Sequence, residues 1–245
     1  MFQRLIFSAL IAGLLAGLII SALHQITTVP LIVAAEEYEN QSEEKKASYN
    51  PNSPLPLILV HGNAHSNEET SESWAPNDGL ERTLWTITTT LLTAIGLALL
   101  LTASFAITRR EINGRTGVIW GIAGFAALSL APALGLPPEL PGSSAAELVA
   151  RQSWWVLTVS ATVTGIALLC FSKNWMLRAL AIALLLTPHA IGAPHPARFE
   201  SLVPGELSAL FVANSLGTSF IFWCLLGWLS GTIYNHFHQL EEQRP

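Results

Sequence analysis

Two histidines stand six residues apart in the proline-flanked run Pro188-His189-Ala190-Ile191-Gly192-Ala193-Pro194-His195-Pro196. Imidazole nitrogens combined with carboxylate oxygens suit divalent first-row cations such as Co²⁺, Ni²⁺ or Zn²⁺. A carboxylate of that kind, Glu139, sits in Pro137-Pro138-Glu139-Leu140-Pro141-Gly142. His24 closes the first apolar block, and His61 and His65 accompany Glu68, Glu69 and Glu72 in an acidic stretch. These six residues (His24, His61, His65, Glu139, His189 and His195) are the candidate metal ligands. The i, i+6 spacing of His189 and His195 is far less specific than a paired Cys-x-x-Cys, and interfacial histidines are the plainer reading of that pair. What raises the functional reading is cost, since ionisable groups at membrane depth are expensive to keep. His236 and His238 offer an exit point for a metal or, more plainly, a solvated tail.

Other chemistries find little support. Pro56-Leu57-Ile58-Leu59-Val60-His61-Gly62 looks like the oxyanion strand of an α/β-hydrolase. That fold also needs a Gly-x-Ser-x-Gly elbow, which the chain lacks. A phosphate-binding Gly-rich loop ending in Lys-Ser/Thr is missing too, which speaks against ATP hydrolysis by this chain. Cys170 and Cys224 both lie in apolar stretches and read as small packing residues. The expectation is therefore a protein that is not an enzyme and has no tightly bound cofactor, the cation being cargo. A net charge of −5, with no basic cluster beyond Arg109, Arg110 and Arg115, argues against a nucleic-acid partner.

The elements that must position these groups are membrane helices. Of 245 residues 51% are hydrophobic and 12% charged, about half the charge of a soluble domain, and mean hydropathy is +0.44. The apolar residues fall in long blocks that match the ~20-residue helix needed to cross a ~30 Å hydrocarbon core. The blocks predict an all-α integral membrane protein, a bundle of about six transmembrane helices near 5–29, 84–107, 117–136, 153–172, 174–191 and 207–234. The count falls to five if the segment at 174–191, interrupted by Arg178 and Pro188, is re-entrant. The organisation expected is a first helix with its outer end (1–35), an acidic and largely disordered extracytoplasmic loop (36–82), the bundle (83–234) and a short cytoplasmic tail (235–245).

Basic residues in short connections set the orientation. With the N-terminus inside, Arg4, Arg109, Arg110, Arg115, Lys173, Arg178 and Arg244 face the cytoplasm, against Arg82, Arg151 and Arg198 outside. Fourteen of the seventeen acids then lie outside. This predicts a multi-pass protein of the bacterial inner membrane with both termini cytoplasmic. The first block also has features of a secretory signal, but Leu5–Leu23 exceeds the usual 7–15-residue core. Ala9, Gly13, Gly17 and Ser21 recur every four positions, the small-residue stripe of a retained packing helix. Ten acids in 36–82 make that stretch too polar to fold alone.

Pro30, Pro132 and Pro188 all fall at the outer level of this topology. Each removes a helical hydrogen bond, so together they either end helices at the interface or open an outward vestibule lined by broken backbone. Trp154, Trp155, Trp175, Trp223 and Trp228 mark an aromatic belt, and Gly117, Gly121, Gly124, Gly227 and Gly231 mark tight helix crossings. Arg151 has Glu139 or Glu147 as a potential partner.

Several strings, taken in order, resemble the proposed cobalt transporter subunit CbtA of bacteria. They are Phe2-Gln3-Arg4-Leu5 with Ala35-Glu36-Glu37-Tyr38, then Trp74-Ala75-Pro76-Asn77-Asp78-Gly79-Leu80-Glu81-Arg82-Thr83, then Trp120-Gly121 through Pro132 to Gly142. Ala150-Arg151-Gln152-Ser153-Trp154-Trp155 and the run Pro188 to Pro196 complete the set. The likeness covers nearly all of the chain except residues 40–70. It implies a permease component for Co²⁺ linked to cobalamin synthesis, paired with a small single-span subunit, CbtB, that carries a histidine-rich tail. The family's first loop is often rich in alternating His and Glu, of which only His61 and His65 remain here.

The expected function is thus divalent metal uptake, with cobalt as cargo, the bilayer and a CbtB-like subunit as partners, and a homo-oligomer open. A non-conducting scaffold for a metal-transport complex, or a transporter for nickel, is the alternative. A membrane enzyme acting on a lipid-linked substrate ranks third.

Overall fold

The computed structural model describes residues 2–48, 76–77, 79–108, 110–196 and 201–242. These contain seven helices: α1 (Phe2–Thr27), α2 (Val29–Ser48), α3 (Leu80–Thr108), α4 (Gly114–Ala133), α5 (Leu148–Phe171), α6 (Trp175–Ile191) and α7 (Gly205–Glu242). Five of them, α1, α3, α4, α5 and α7, are long and apolar enough to cross a membrane, and α6 is a shorter apolar helix of 17 residues. The all-α membrane bundle predicted from the apolar blocks is the architecture found.

Local sequence sets the helix starts. Asn113 opens α4 with a capping box: its side chain accepts from the amides of Arg115 and Thr116, and Thr116 Oγ1 accepts from the Asn113 amide at 2.8 Å. Glu147 caps α5 through the amides of Val149 and Ala150, and Asn174 caps α6 through that of Met176. Gly192, with φ of 87°, ends α6 in a backbone region that disfavours other residues.

Packing partners fix the direction of each helix. Arg4, near the start of α1, donates to the Tyr234 hydroxyl near the end of α7 at 3.2 Å and stacks on its ring. Gly13 and Gly17 of α1 lie against Ile95 and Leu91 of α3, so the small-residue stripe is a real packing face and the two helices are antiparallel. Gly117 and Gly121 of α4 meet Gly227 and Trp223 of α7, also antiparallel. Phe105 joins the layers, edge-on to both Trp120 and Tyr234 at 5.7 and 5.8 Å.

One end of the bundle therefore holds the start of α1 and the end of α7. The opposite end, here called the rim, holds the ends of α1, α4 and α6 and the starts of α3, α5 and α7. Helix α6 runs the length of α5 rather than turning back. It begins beside Ser172, whose carbonyl accepts from Arg178 Nε, and it reaches the rim where Trp154 Nε1 donates to the Pro188 carbonyl. The chain is still at the rim at Leu202, whose amide donates to the Gly142 carbonyl at 3.3 Å. With α6 added to the five long apolar helices, six run between the two ends, and both helical termini lie at one end. At about 1.5 Å per residue α6 measures ~25 Å, shorter than the other five.

Two expectations differ from what is found. Residues 36–48, expected as loop, continue as helix α2. Pro30, expected to end a helix at the interface or to break backbone along a vestibule, sits in the first turn of a new helix, where its missing N–H costs nothing. The Glu, Gln, Lys and Ala residues that follow are good helix formers. Arg82 of α3 holds α2 in place by a two-pronged pair with Glu36, Nη1 to Oε2 at 2.9 Å and Nη2 to Oε1. At the other terminus α7 stays helical to Glu242, through most of the expected tail.

Candidate functional site

Pro132 shapes the rim. A proline cannot donate to the carbonyl a turn earlier, and α4 answers with a π turn at Ala126–Leu130, closed by the Ala131 amide on the Ala126 carbonyl. Such π insertions are frequent at functional sites because they free backbone groups and rotate side chains. Here the turn lines Ser129 up with α7. Ser129 Oγ is 2.8 Å from Ser219 Oγ and accepts from the buried Trp223 Nε1 at 3.3 Å.

Beyond Pro132 the chain runs through Pro137, Pro138 and Glu139 and then turns at Gly142, with φ of 75°. This run, the π turn, the first turns of α5 and the rim end of α7 enclose a pocket of about 740 Å³. Its lining is largely apolar, from Leu128, Leu136, Trp155 and Leu216, with Ser129 and Ser219 at one side. Glu139 is the single acid in the lining and Arg151 the single base. They pair, Arg151 Nη2 to Glu139 Oε2 at 2.8 Å, with about a quarter and a third of the two side chains exposed. Glu147, the other potential partner, is spent on capping α5. The amides of Val149 and Ala150 hold its carboxyl below the ordinary glutamate value.

The six predicted ligands are dispersed by this arrangement. His189 lies half-buried in the last turn of α6 with its ring 6.1 Å from that of Trp154, edge to face. His195 follows Gly192 and is exposed. His24 sits half-buried in the last turn of α1, whose partners are α3 and α7, whereas α6 packs on α5. Glu139 is engaged by Arg151. Among the described residues no group of three or more His, Cys, Asp or Glu side chains could hold a metal ion. His61 and His65 lie outside the described residues. His236 and His238 are exposed near the end of α7.

Four of the six thus share a level, the rim, without sharing a site. Glu139 alone of the six lines the pocket, where it is joined by residues that carried no ligand signal: Ser129, Ser219, Gln152 and Trp155. Ser129 stands three residues before Pro132, the one hint that a broken helix would present it. The donor set present, one paired carboxylate and two hydroxyls, suits brief contact with a passing cation rather than a resident metal, which demands more and stronger ligands.

The family model of CbtA, described as a probable cobalt transporter subunit, matches residues 2–235, nearly the whole chain. No curated protein and no solved structure matches it.

Proposed function

The chain belongs to the CbtA family of probable cobalt transporter subunits, and on that premise we propose that it is the permease component of a divalent metal uptake system. Its cargo is Co²⁺, destined for cobalamin synthesis, and it moves the ion without hydrolysing ATP. The observation that carries this reading is the rim pocket of about 740 Å³ with the paired Glu139 and Arg151 in its wall. A carboxylate neutralised by a tethered guanidinium is a cation site with a built-in competitor. An arriving divalent ion, carrying twice the charge, displaces Arg151 from Glu139, and Arg151 returns when the ion leaves.

Around this step the histidines act in sequence rather than as one cage. His61 and His65 with their neighbouring acids attract the ion, Glu139 receives it, and His189, His195 and His24 give transient imidazole contacts. Weak ligand sets suit conduction, because an ion bound too well does not leave. With the N-terminus in the cytoplasm of a bacterial inner membrane, the rim faces outward. A negative interior then favours entry by about 2.3 kcal/mol per charge per 100 mV. The word subunit implies a partner in the complex, for which we propose a small single-span, His-rich chain of the CbtB type.

One observation favours a second reading, a scaffold whose partner carries the metal. Glu139 already has its counter-ion, and no three-ligand group forms among the described residues. Liposomes containing this chain alone separate the two. The permease reading expects Co²⁺ influx that the double variant His189→Ala/His195→Ala and the single variant Glu139→Ala each reduce at least tenfold. Absence of flux from well-folded wild-type protein leaves the scaffold.

A further inference from the structure

On the opposite half of the bundle, α3 and α5 are held apart by α4, which floors a cleft of about 470 Å³ between them. Its walls are Leu97 to Ser104 of α3 and Val159 to Phe171 of α5, nearly all apolar. Along α5 this is thirteen residues, a rise of about 18 Å at 1.5 Å per step. That length is about half of a ~30 Å hydrocarbon core, the depth of one leaflet. The cleft starts at the end of the bundle opposite the rim and stops near mid-membrane.

Among the described residues, one charged side chain lines it, at its mouth. Arg110, exposed in the α3–α4 connection, lines the cleft with its guanidinium carbon 4.8 Å from the Phe171 ring centre. Arg115, Lys173 and Arg178 surround the same end, and Glu111 is the one acid in the two connections there. Basic pockets between membrane helices are where anionic lipid headgroups bind, and a guanidinium is the side chain best shaped for a phosphate.

We propose that this cleft is a binding site for one anionic phospholipid, an acyl chain lying along α5 and the phosphate on Arg110. An 18 Å stretch of helix about 10 Å across would displace ~1,400 Å³, about the open space between the walls, so the choice of a lipid rests on the guanidinium at the mouth rather than on size. The cleft meets the rim pocket only at Leu128, which lines both, and its proposed ligand involves no metal chemistry.

Native mass spectrometry of the full chain, released from micelles doped with phosphatidylglycerol or phosphatidylcholine of identical acyl chains, tests it. The expected result is one retained phosphatidylglycerol per chain, at about a fivefold preference over phosphatidylcholine. Arg110→Gln should bring that preference to near unity, while Arg115→Gln, outside the cleft, should leave it. Val163→Phe, which narrows the cleft, should lower retention of both lipids with the melting temperature checked in parallel. Because Arg110 is exposed, its variant remains informative even if Val163→Phe fails to fold. Equal retention of the two lipids by the wild type overturns the proposal. So does a preference that survives Arg110→Gln or falls equally with Arg115→Gln. A dimer mass that Val163→Phe dissolves would assign the cleft to a second copy and overturn it too.

Discussion

The α4–α7 pair changes character half-way along its length. At Gly117 and Gly121 the two helices touch backbone to backbone, and on either side Gly114 and Gly124 lie against the Trp228 and Trp223 rings. A Cβ on Gly117 would run into the Gly227 carbonyl, and one on Gly121 into that of Trp223. From Ala126 onward the same two helices part around a π turn, hold each other through the Ser129–Ser219 contact, and open the rim pocket between them. In a bilayer, close approach of small residues is what fastens helices, since lipid tails compete with any larger apolar side chain. One half of the pair is thus a fixed seam and the other an adjustable mouth. A transport subunit needs both, a rigid frame to bear against and a rim whose side chains can exchange partners.

The seam should be the harder half to alter. Gly117→Val or Gly121→Val forces the helices apart, because the obstacle is backbone and cannot swing away. The expected cost is about 3 kcal/mol or more, read as loss of monodisperse protein in detergent or a large fall in melting temperature. Gly217→Ala, on the rim half of α7 with nothing within 4 Å of the new Cβ, should be neutral or gain about 0.5–1 kcal/mol in helix propensity. Equal damage from both substitutions would erase the distinction between seam and mouth.

Why the seam was legible in the sequence and the mouth only partly so has a physical explanation. Hydropathy and charge report depth in the membrane. They place the apolar helices along the chain, and they place His24, Glu139, His189 and His195 toward one end of the bundle. Azimuth around the bundle depends on which helices pack together. Only α1, with its Ala9, Gly13, Gly17 and Ser21 stripe, and the glycines of α4 and α7 announced their partners. His24 ended up on the α1 layer and His189 on the α5–α6 layer for that reason. Arg151 chose Glu139 because Glu147 is drawn to the exposed amides of its own helix start. Pro30 misled because a proline suits the first turn of a helix as well as the end of one. Pro132 reads as a break, but that the turn it forces would present Ser129 to Trp223, ninety-four residues away in the chain, depends on how α4 and α7 pack.

A subtler probe of the mouth is Ser129→Ala. It removes the acceptor of a buried indole N–H and the partner of Ser219 while changing the volume by one oxygen. Hydrogen bonds between helices in a membrane are modest, so the expected loss is about 1 kcal/mol, well below that of Gly117→Val. The π turn should persist, because Pro132 enforces it, and the near-ultraviolet dichroism of Trp223 should change. An unchanged Trp223 signal would mean that Ser129 does not hold the mouth to the seam.

The smallest effect expected lies where the rim loop hands over to α5. Glu147 is exposed, and its carboxylate takes the amides of Val149 and Ala150 at 2.9 and 2.7 Å. Both bonds favour the ionised form, so the folded-state carboxyl loses its proton more readily than the usual glutamate at 4.5. The sign follows from linkage: a depressed carboxyl adds stability that is complete above its unfolded value and fades as pH falls through its folded value. The cap should therefore hold α5 and its Arg151 in place at neutral pH and weaken from about pH 4.5 downward. Glu147→Gln keeps an oxygen for the amides but cannot titrate. The difference between wild-type and Glu147→Gln melting temperatures, followed from pH 6 to pH 3, should be positive at the neutral end and shrink on acidification. Taking the difference removes the other rim carboxylates, Glu139 among them, which both proteins share. A difference that stays constant with pH would show that α5 is held by its packing on α6 alone, and that the rim owes nothing to the charge at its edge.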